Sequence, residues 1–185
     1  MYENETKLAE YFHQLSKLLT TLDHGVFKIL VEKFMNVHDA GGKVILAGNG
    51  GSAAISSHVA VDLTKAARVR ATNFSDADMI TCFSNDYGYE HWLENALNFY
   101  ADKNDVVVLI SSSGQSSNMV NAAKYAVNMG LDLVTLTGFS RDNPLKDLGQ
   151  INLWVNSKMY NHIETVHQTW LLAVVDAIAA LRVKL

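Results

Sequence analysis

Cysteine and proline are almost absent: the 185-residue chain has one of each, Cys82 and Pro144. A single thiol excludes an internal disulfide framework, and Cys82, inside "MITCFS", is expected to be a small buried hydrophobe rather than a reactive group. One proline, no low-complexity run and no internal repeat leave nothing to mark a linker. A single domain over residues 1–185 is therefore expected, with an N-terminal helical hairpin at about 5–40. Charge of one sign is lacking too. The 15 Lys and Arg against 19 Asp and Glu leave a net charge of −4, so there is no basic footprint and direct nucleic-acid binding is not expected. No run of about 18 apolar residues occurs, and "MYENETKLAEYF" has neither the basic start nor the apolar stretch of a secretory leader. The expectation is a cytoplasmic protein independent of membranes.

What is present is hydrophobic periodicity of two kinds. Residues 5–21 carry Leu8, Tyr11, Phe12, Leu15, Leu18 and Leu19 at three- and four-residue spacings, and residues 25–39 do the same with Val26, Ile29, Leu30, Phe34 and Val37. These predict two amphipathic helices. "AGGKVILAG" then stops the helix with glycine and begins a short apolar run, as a buried parallel strand does. A helical pattern returns from Ser52 to about Ala67. The runs "DVVVLI" (105–110) and "LDLVTLTG" (131–138) read as buried strands flanking a helix at about 116–129. "INLWV" (151–155) is another strand, and residues 162–184 form a long, largely apolar final helix. Strands alternating with helices predict a parallel α/β sheet covered on both faces, whose ligands bind at the carboxyl ends of its strands.

Two loops at such strand ends stand out. "GNGGSA" follows the strand at 43–47 and precedes a helix, so its glycines let backbone N–H groups face a ligand where the helix dipole favours an anion. "SSSGQSS" (111–117) adds hydroxyl donors around Gly114. A hydroxyl-rich, lysine-free cradle suits a phosphate monoester on a neutral polar body. A plain glycine turn and a serine helix cap are the bland alternatives for each loop taken alone, but the pairing at two strand ends of one sheet favours a ligand.

At these residues the chain resembles a known family. "GNGGS", "SNDYGY" (84–89), "ISSSGQSSN" (110–118) and "LTG" (136–138) are similar, in order and approximate spacing, to the sugar isomerase (SIS) domain of the phosphoheptose isomerase type. The resemblance implies a three-layer α-β-α sandwich on a five-stranded parallel sheet, with two leading helices and a long C-terminal helix. It implies a homotetramer that converts sedoheptulose 7-phosphate to an aldose phosphate in a pocket between subunits. Asn49, Gly50, Gly51 and Ser52 would lie against the sugar, Ser111, Ser112, Ser113 and Ser116 would hold its phosphate, and Asn85 and Asp86 would contribute at the same pocket.

Aldose–ketose isomerisation needs a base for the carbon next to the carbonyl, and an acid or metal for the enediolate. The family's His-x-x-x-Glu pair corresponds here to His58 and Asp62. Its final-helix glutamine corresponds to Glu164, and the histidine eight residues on corresponds to Leu172, which moves no proton and binds no metal. Asp62 and Glu164 are the candidate bases, and His167 is a candidate acid. His58, Asp62 and Glu164, with His167, would make a mixed nitrogen and oxygen set for zinc; the alternative is that the histidines are core or interface residues and the carboxylates pair locally. Lys65, Arg68 and Arg70 read as a solvated basic edge within reach of a phosphate. The functional expectation is a sugar phosphate isomerase; the alternative is a catalytically altered phosphosugar-binding or regulatory protein resembling the SIS tetramer that binds the replication initiator.

Overall fold

The structure, a computed structural model, describes residues 2–182. Helices α1 (Tyr2–Leu19) and α2 (His24–Asp39) lead into β1 (Val44–Gly48), α3 (Gly51–Lys65) and β2 (Ala71–Asn73). Helices α4 (Ala77–Tyr87) and α5 (Trp92–Tyr100) precede β3 (Val106–Ile110), α6 (Ser117–Asn128) and β4 (Asp132–Thr137). The chain closes with α7 (Pro144–Leu148), β5 (Ile151–Trp154) and α8 (Tyr160–Arg182). Five strands pair in the order β2-β1-β3-β4-β5, every pair parallel. After β1 the chain goes to one side to form β2 and then returns to the other side for β3, so the topological switch point lies between β1 and β3.

The sheet is buried on both faces because its strands carry apolar side chains on both. In β1, Val44 and Leu46 face a core built with Leu30, Phe34, Val59, Leu63, Leu171 and Val175 of α2, α3 and α8. Ile45 and Ala47 face the opposite core, with Trp92, Leu93 and Leu97 of α5 and Met119, Ala122 and Ala123 of α6. The three-layer α-β-α sandwich with its five-stranded parallel sheet is thus as the resemblance implied. The hairpin begins α2 at Asp23, whose carboxylate accepts from the Val26 N–H at 3.0 Å. It is tied to α8 by the Trp170 indole N–H, which donates to the Leu19 carbonyl at 2.9 Å.

The expected elements lie within one to three residues of those observed. The final helix starts at Tyr160, and its expected continuation to 184 lies outside the described residues. No element was expected for β2, α4, α5 or α7. β2 is three residues with no apolar run, and α4 has no fully buried residue to give it a clear stripe. Cys82 is exposed rather than buried: α4 packs through the half-buried Met79, Ile80 and Phe83, which leaves the thiol on its outward face.

Helix α3 leaves β1 through a very tight approach. A Cβ on Gly48 would lie 2.6 Å from both the carbonyl carbon and the Cβ of Ser52, so only hydrogen fits between the strand and the first turn of the helix. Gly48→Ala is expected to cost about 1–3 kcal/mol by forcing α3 off the sheet, read as a lowered urea midpoint with an unchanged slope.

Candidate active site

Gly48 and Ile110, the last residues of β1 and β3, are register partners, so the two polar loops leave the sheet side by side at the switch point. Reciprocal amide bonds join them. Asn49 Nδ2 donates to Asn118 Oδ1 at 3.0 Å, and Asn118 Nδ2 donates to Asn49 Oδ1 at 2.9 Å. The Tyr89 hydroxyl donates to the same Asn49 oxygen at 3.1 Å. Asn118 is 1% exposed, and sequence reasoning did not single it out. Its signal was its place two residues after Ser116, on the first turn of the helix the serine loop enters.

The serine loop is held mainly by its backbone, with the Ser113 hydroxyl accepting from the Gln115 N–H at 3.2 Å. Ser111 N–H donates to the Leu136 carbonyl at 3.0 Å, and Gly138 N–H donates to the Ser112 carbonyl at 2.8 Å. Ser116 stands at the N-cap of α6 with extended backbone, yet its side chain makes no capping bond, so the helix-cap alternative does not account for it. The buried Ser112 hydroxyl has no hydrogen-bond partner among the described residues. Leaving such a group unsatisfied costs about 1–3 kcal/mol, a cost that a bound acceptor removes. Ser111, Ser112, Ser113 and Ser116 line a cavity of about 120 Å³ together with Asn49, Ser52, Tyr160 and Glu164. The amino ends of α3 and α6 converge here, so both helix dipoles favour an anion. No lysine or arginine lines the cavity.

Glu164, in the first two turns of α8, borders this cavity and also a second cleft of about 430 Å³ that contains Gly51, His58 and Gln168. Its carboxyl group rests on the α-carbon of Gly51, where any Cβ would collide with it. Burial raises its pKa above the ordinary 4.5, because a partly desolvated carboxylate holds its proton more tightly.

The remaining expected residues divide. His58 and Asp62, one turn apart on α3, are paired at 3.2 Å between Nε2 and Oδ2. Gln168 Nε2 lies 2.9 Å from His58 Nδ1; sequence reasoning missed this partner, which stands one turn after Glu164. Asp62 lines neither cleft. His167 is wholly buried with Nε2 on the Thr137 carbonyl at 3.1 Å, on the side of α8 turned into the core, and it lines neither cleft. Leu172 packs against the core shared by α2, α3 and α8. Gly50 caps α3 with φ of 55° and lines neither cleft. Asn85 and Asp86 are exposed at the end of α4, with Asn85 Nδ2 donating to Asp86 Oδ1 at 2.9 Å, and they line neither cleft. The "SNDYGY" segment reaches the site through Tyr89 instead. Arg70 donates to the Gly42 carbonyl at 3.0 and 3.2 Å, at the amino end of β1 and away from the serine loop.

Among the described residues, no group of three or more His, Cys, Asp or Glu is arranged to hold a metal ion. The donor chemistry agrees: both His58 ring nitrogens are engaged, and Leu172 offers no ligand. The residues present therefore do not fit the zinc set that the resemblance implied.

A glycine loop and a serine loop meet at the switch point of a 2-1-3-4-5 parallel sheet, closed by a carboxylate from the last helix, and make an anion-receptive pocket in an α/β protein. The family model described as SIS domain matches residues 10–138, and the chain belongs to that family. Similar proteins include phosphoheptose isomerases. That of Aliarcobacter butzleri is 36% identical over 147 residues, covering 76% of this chain and 75% of its own. That of Helicobacter pylori is 34% identical over 133 residues, covering 68% of each. The solved phosphoheptose isomerase of Neisseria gonorrhoeae matches with a TM-score of 0.84 at 26% identity, covering 94% of this chain and 98% of its own. A phosphoheptose isomerase from Francisella tularensis shares the fold at a TM-score of 0.85 and 22% identity, over 96% and 98% of the two chains.

Burial pushes the His167 imidazole down from 6.5 to about 4. Between those values the unfolded chain binds a proton that the folded chain does not, so stability is full above the higher value and falls as pH drops towards the lower. The loss is on the order of 3 kcal/mol. Urea unfolding from neutral to acid pH is expected to show it, and His167→Gln to flatten it.

Proposed function

We propose that the protein is an aldose–ketose isomerase acting on a ketose phosphate, sedoheptulose 7-phosphate or a closely related sugar. The observation that carries this is Glu164: one carboxylate, its pKa raised by burial, borders both the serine-lined cavity and the cleft beyond Gly51. The phosphate takes the serine cavity, where hydroxyls and two helix amino ends supply neutral donors. The sugar runs from there across Gly51, with C1 and C2 beside Glu164. Glu164 removes the proton from C1, and the C1–H electron pair forms the C1–C2 double bond as the carbonyl pair moves onto O2. The amino end of α3 stabilises that enediolate charge. A proton passes from O1 to O2, the C1–O1 carbonyl forms, and Glu164 returns its proton to C2. No step requires a metal. His167, held in the core, supports the site from behind, and Asp62 holds His58. The regulatory alternative is not favoured, since the phosphosugar cavity is joined by a base in reach of it and the named relatives are isomerases.

The assembly belongs to the same proposal. Leu8 and Phe12 on α1, Ile29 on α2, Val61 on α3, and Phe99 and Tyr100 on α5 are each about half exposed or more, which is more apolar surface than an isolated chain presents comfortably. A homotetramer covers these residues, and Asn85 and Asp86 then complete a neighbouring subunit's pocket. Its sugar phosphate substrate, too charged to cross a bilayer, sets its place in the cytoplasm.

Glu164→Gln is expected to lower kcat by about 10²–10⁴-fold, the range a positioned general base contributes, with KM within a few-fold, in an assay of aldose formation from sedoheptulose 7-phosphate. The wild-type kcat/KM should fall on the acid side, with its midpoint above the ordinary carboxylate value of 4.5, because protonated Glu164 cannot act as the base. Light scattering should give a four-chain mass, and a monomer would contradict the shared pocket.

A further inference from the structure

His58 has two hydrogen-bond partners, and together they fix its proton. Nδ1 lies 2.9 Å from Nε2 of Gln168 on α8, and Nε2 lies 3.2 Å from Oδ2 of Asp62 on its own helix. A side-chain NH₂ only donates, an ionised carboxylate only accepts, and a neutral imidazole has one group of each kind. The lone pair must therefore be on Nδ1 and the proton on Nε2. Turning the Gln168 amide over would demand a proton on Nδ1 and would leave a lone pair on Nε2 facing the Asp62 carboxylate, so the observed orientation is the one that satisfies all three groups of a neutral ring. Holding an imidazole through its second nitrogen is the usual way a protein sets which nitrogen is protonated.

We propose that Gln168 is the positioning residue that holds His58 as its Nε2–H tautomer, making Gln168, His58 and Asp62 a hydrogen-bonded unit in place of a metal centre. A metal binds neutral imidazole through its lone pair, and here Gln168 occupies the only one. Asp62, the partner expected to share a metal with His58, accepts the ring proton instead. Leu172 supplies no replacement ligand. The unit bridges α3 and α8 across the cleft that Glu164 borders, so it also sets the imidazole's orientation along the sugar's path. For that last consequence alone the inference rests on the isomerase reading.

The tautomer is read directly from two-bond ¹H–¹⁵N correlation spectra of histidine-labelled protein at alkaline pH, assigned by His58→Ala. The wild type is expected to show His58 with a pyridine-type Nδ1 and a protonated Nε2. Gln168→Leu should lose that preference and give a mixture. Gln168→Glu, which can only accept, should draw a proton onto Nδ1 and abolish its pyridine-type signal. If Gln168→Leu fails to fold, the charged variant still decides. Zinc added alone to the wild-type protein should give no stoichiometric binding by calorimetry. In the isomerase assay, Gln168→Leu should lower kcat about tenfold, the lower end for loss of an orienting partner, with little change in KM. A His58 signal unmoved by either folded variant would overturn the proposal, as would stoichiometric zinc binding that His58→Ala removes. The spectra and the zinc titration need no substrate. An inactive protein with the expected spectra would therefore count against the isomerase reading and leave the role of Gln168 standing.

Discussion

Helix α3 is held at its first turn by one backbone approach that only glycine permits, and a second glycine there lies beneath a side chain from the last helix. Ser52 closes on Gly48 at the end of β1, and the Glu164 carboxyl closes on Gly51 from α8. The helix is thus pinned between the sheet and the last helix, and its position decides nearly everything at the site. It aims an amino end at the switch point, sets Ser52 in the cavity wall, and turns His58 towards Gln168. Interiors are packed densely enough that such contacts do not adjust by degrees, so a shift of this helix would move every group that depends on it.

The proposed binding and chemistry draw on the ends of different elements. The serine loop, with backbone bonds to β4 on one side and the Asn49–Asn118 pair on the other, is a rigid donor array with an unsatisfied hydroxyl at Ser112. In the proposed function it would recognise a phosphate by neutral hydrogen bonds and helix dipoles. Glu164 comes from α8, the long helix that the core on the hairpin side is built on, so the proposed base sits on a firmly anchored element.

Much of the fold was legible because the strands at 44–48, 106–110 and 132–137 carry apolar residues on both faces, and the long helices carry clear stripes. β2 was not, since three residues hold no period, and its strand character comes from pairing with β1. Cys82 misled because its neighbours are apolar, while α4 buries only a partial face. His167 and Gln168 show the limit most clearly. Relative to Glu164, a helix turns them about 60° to one side and about 40° to the other. That separation of about 100° puts one ring in the core and the other side chain in the cleft. Periodicity named the helix but did not say which edge of its stripe faced the site.

The sequence alone determined what is local: strand or helix from hydrophobic period, the bare backbone of "GNGGSA" and the hydroxyls of "SSSGQSS". Those follow from residue chemistry and spacing. Only the tertiary structure decided what meets across distance. It brought the two loops together at one switch point, laid Glu164 on Gly51, buried His167, and gave the His58 lone pair to a glutamine 110 positions away. Such meetings depend on how whole elements pack, and no stretch of sequence contains that by itself.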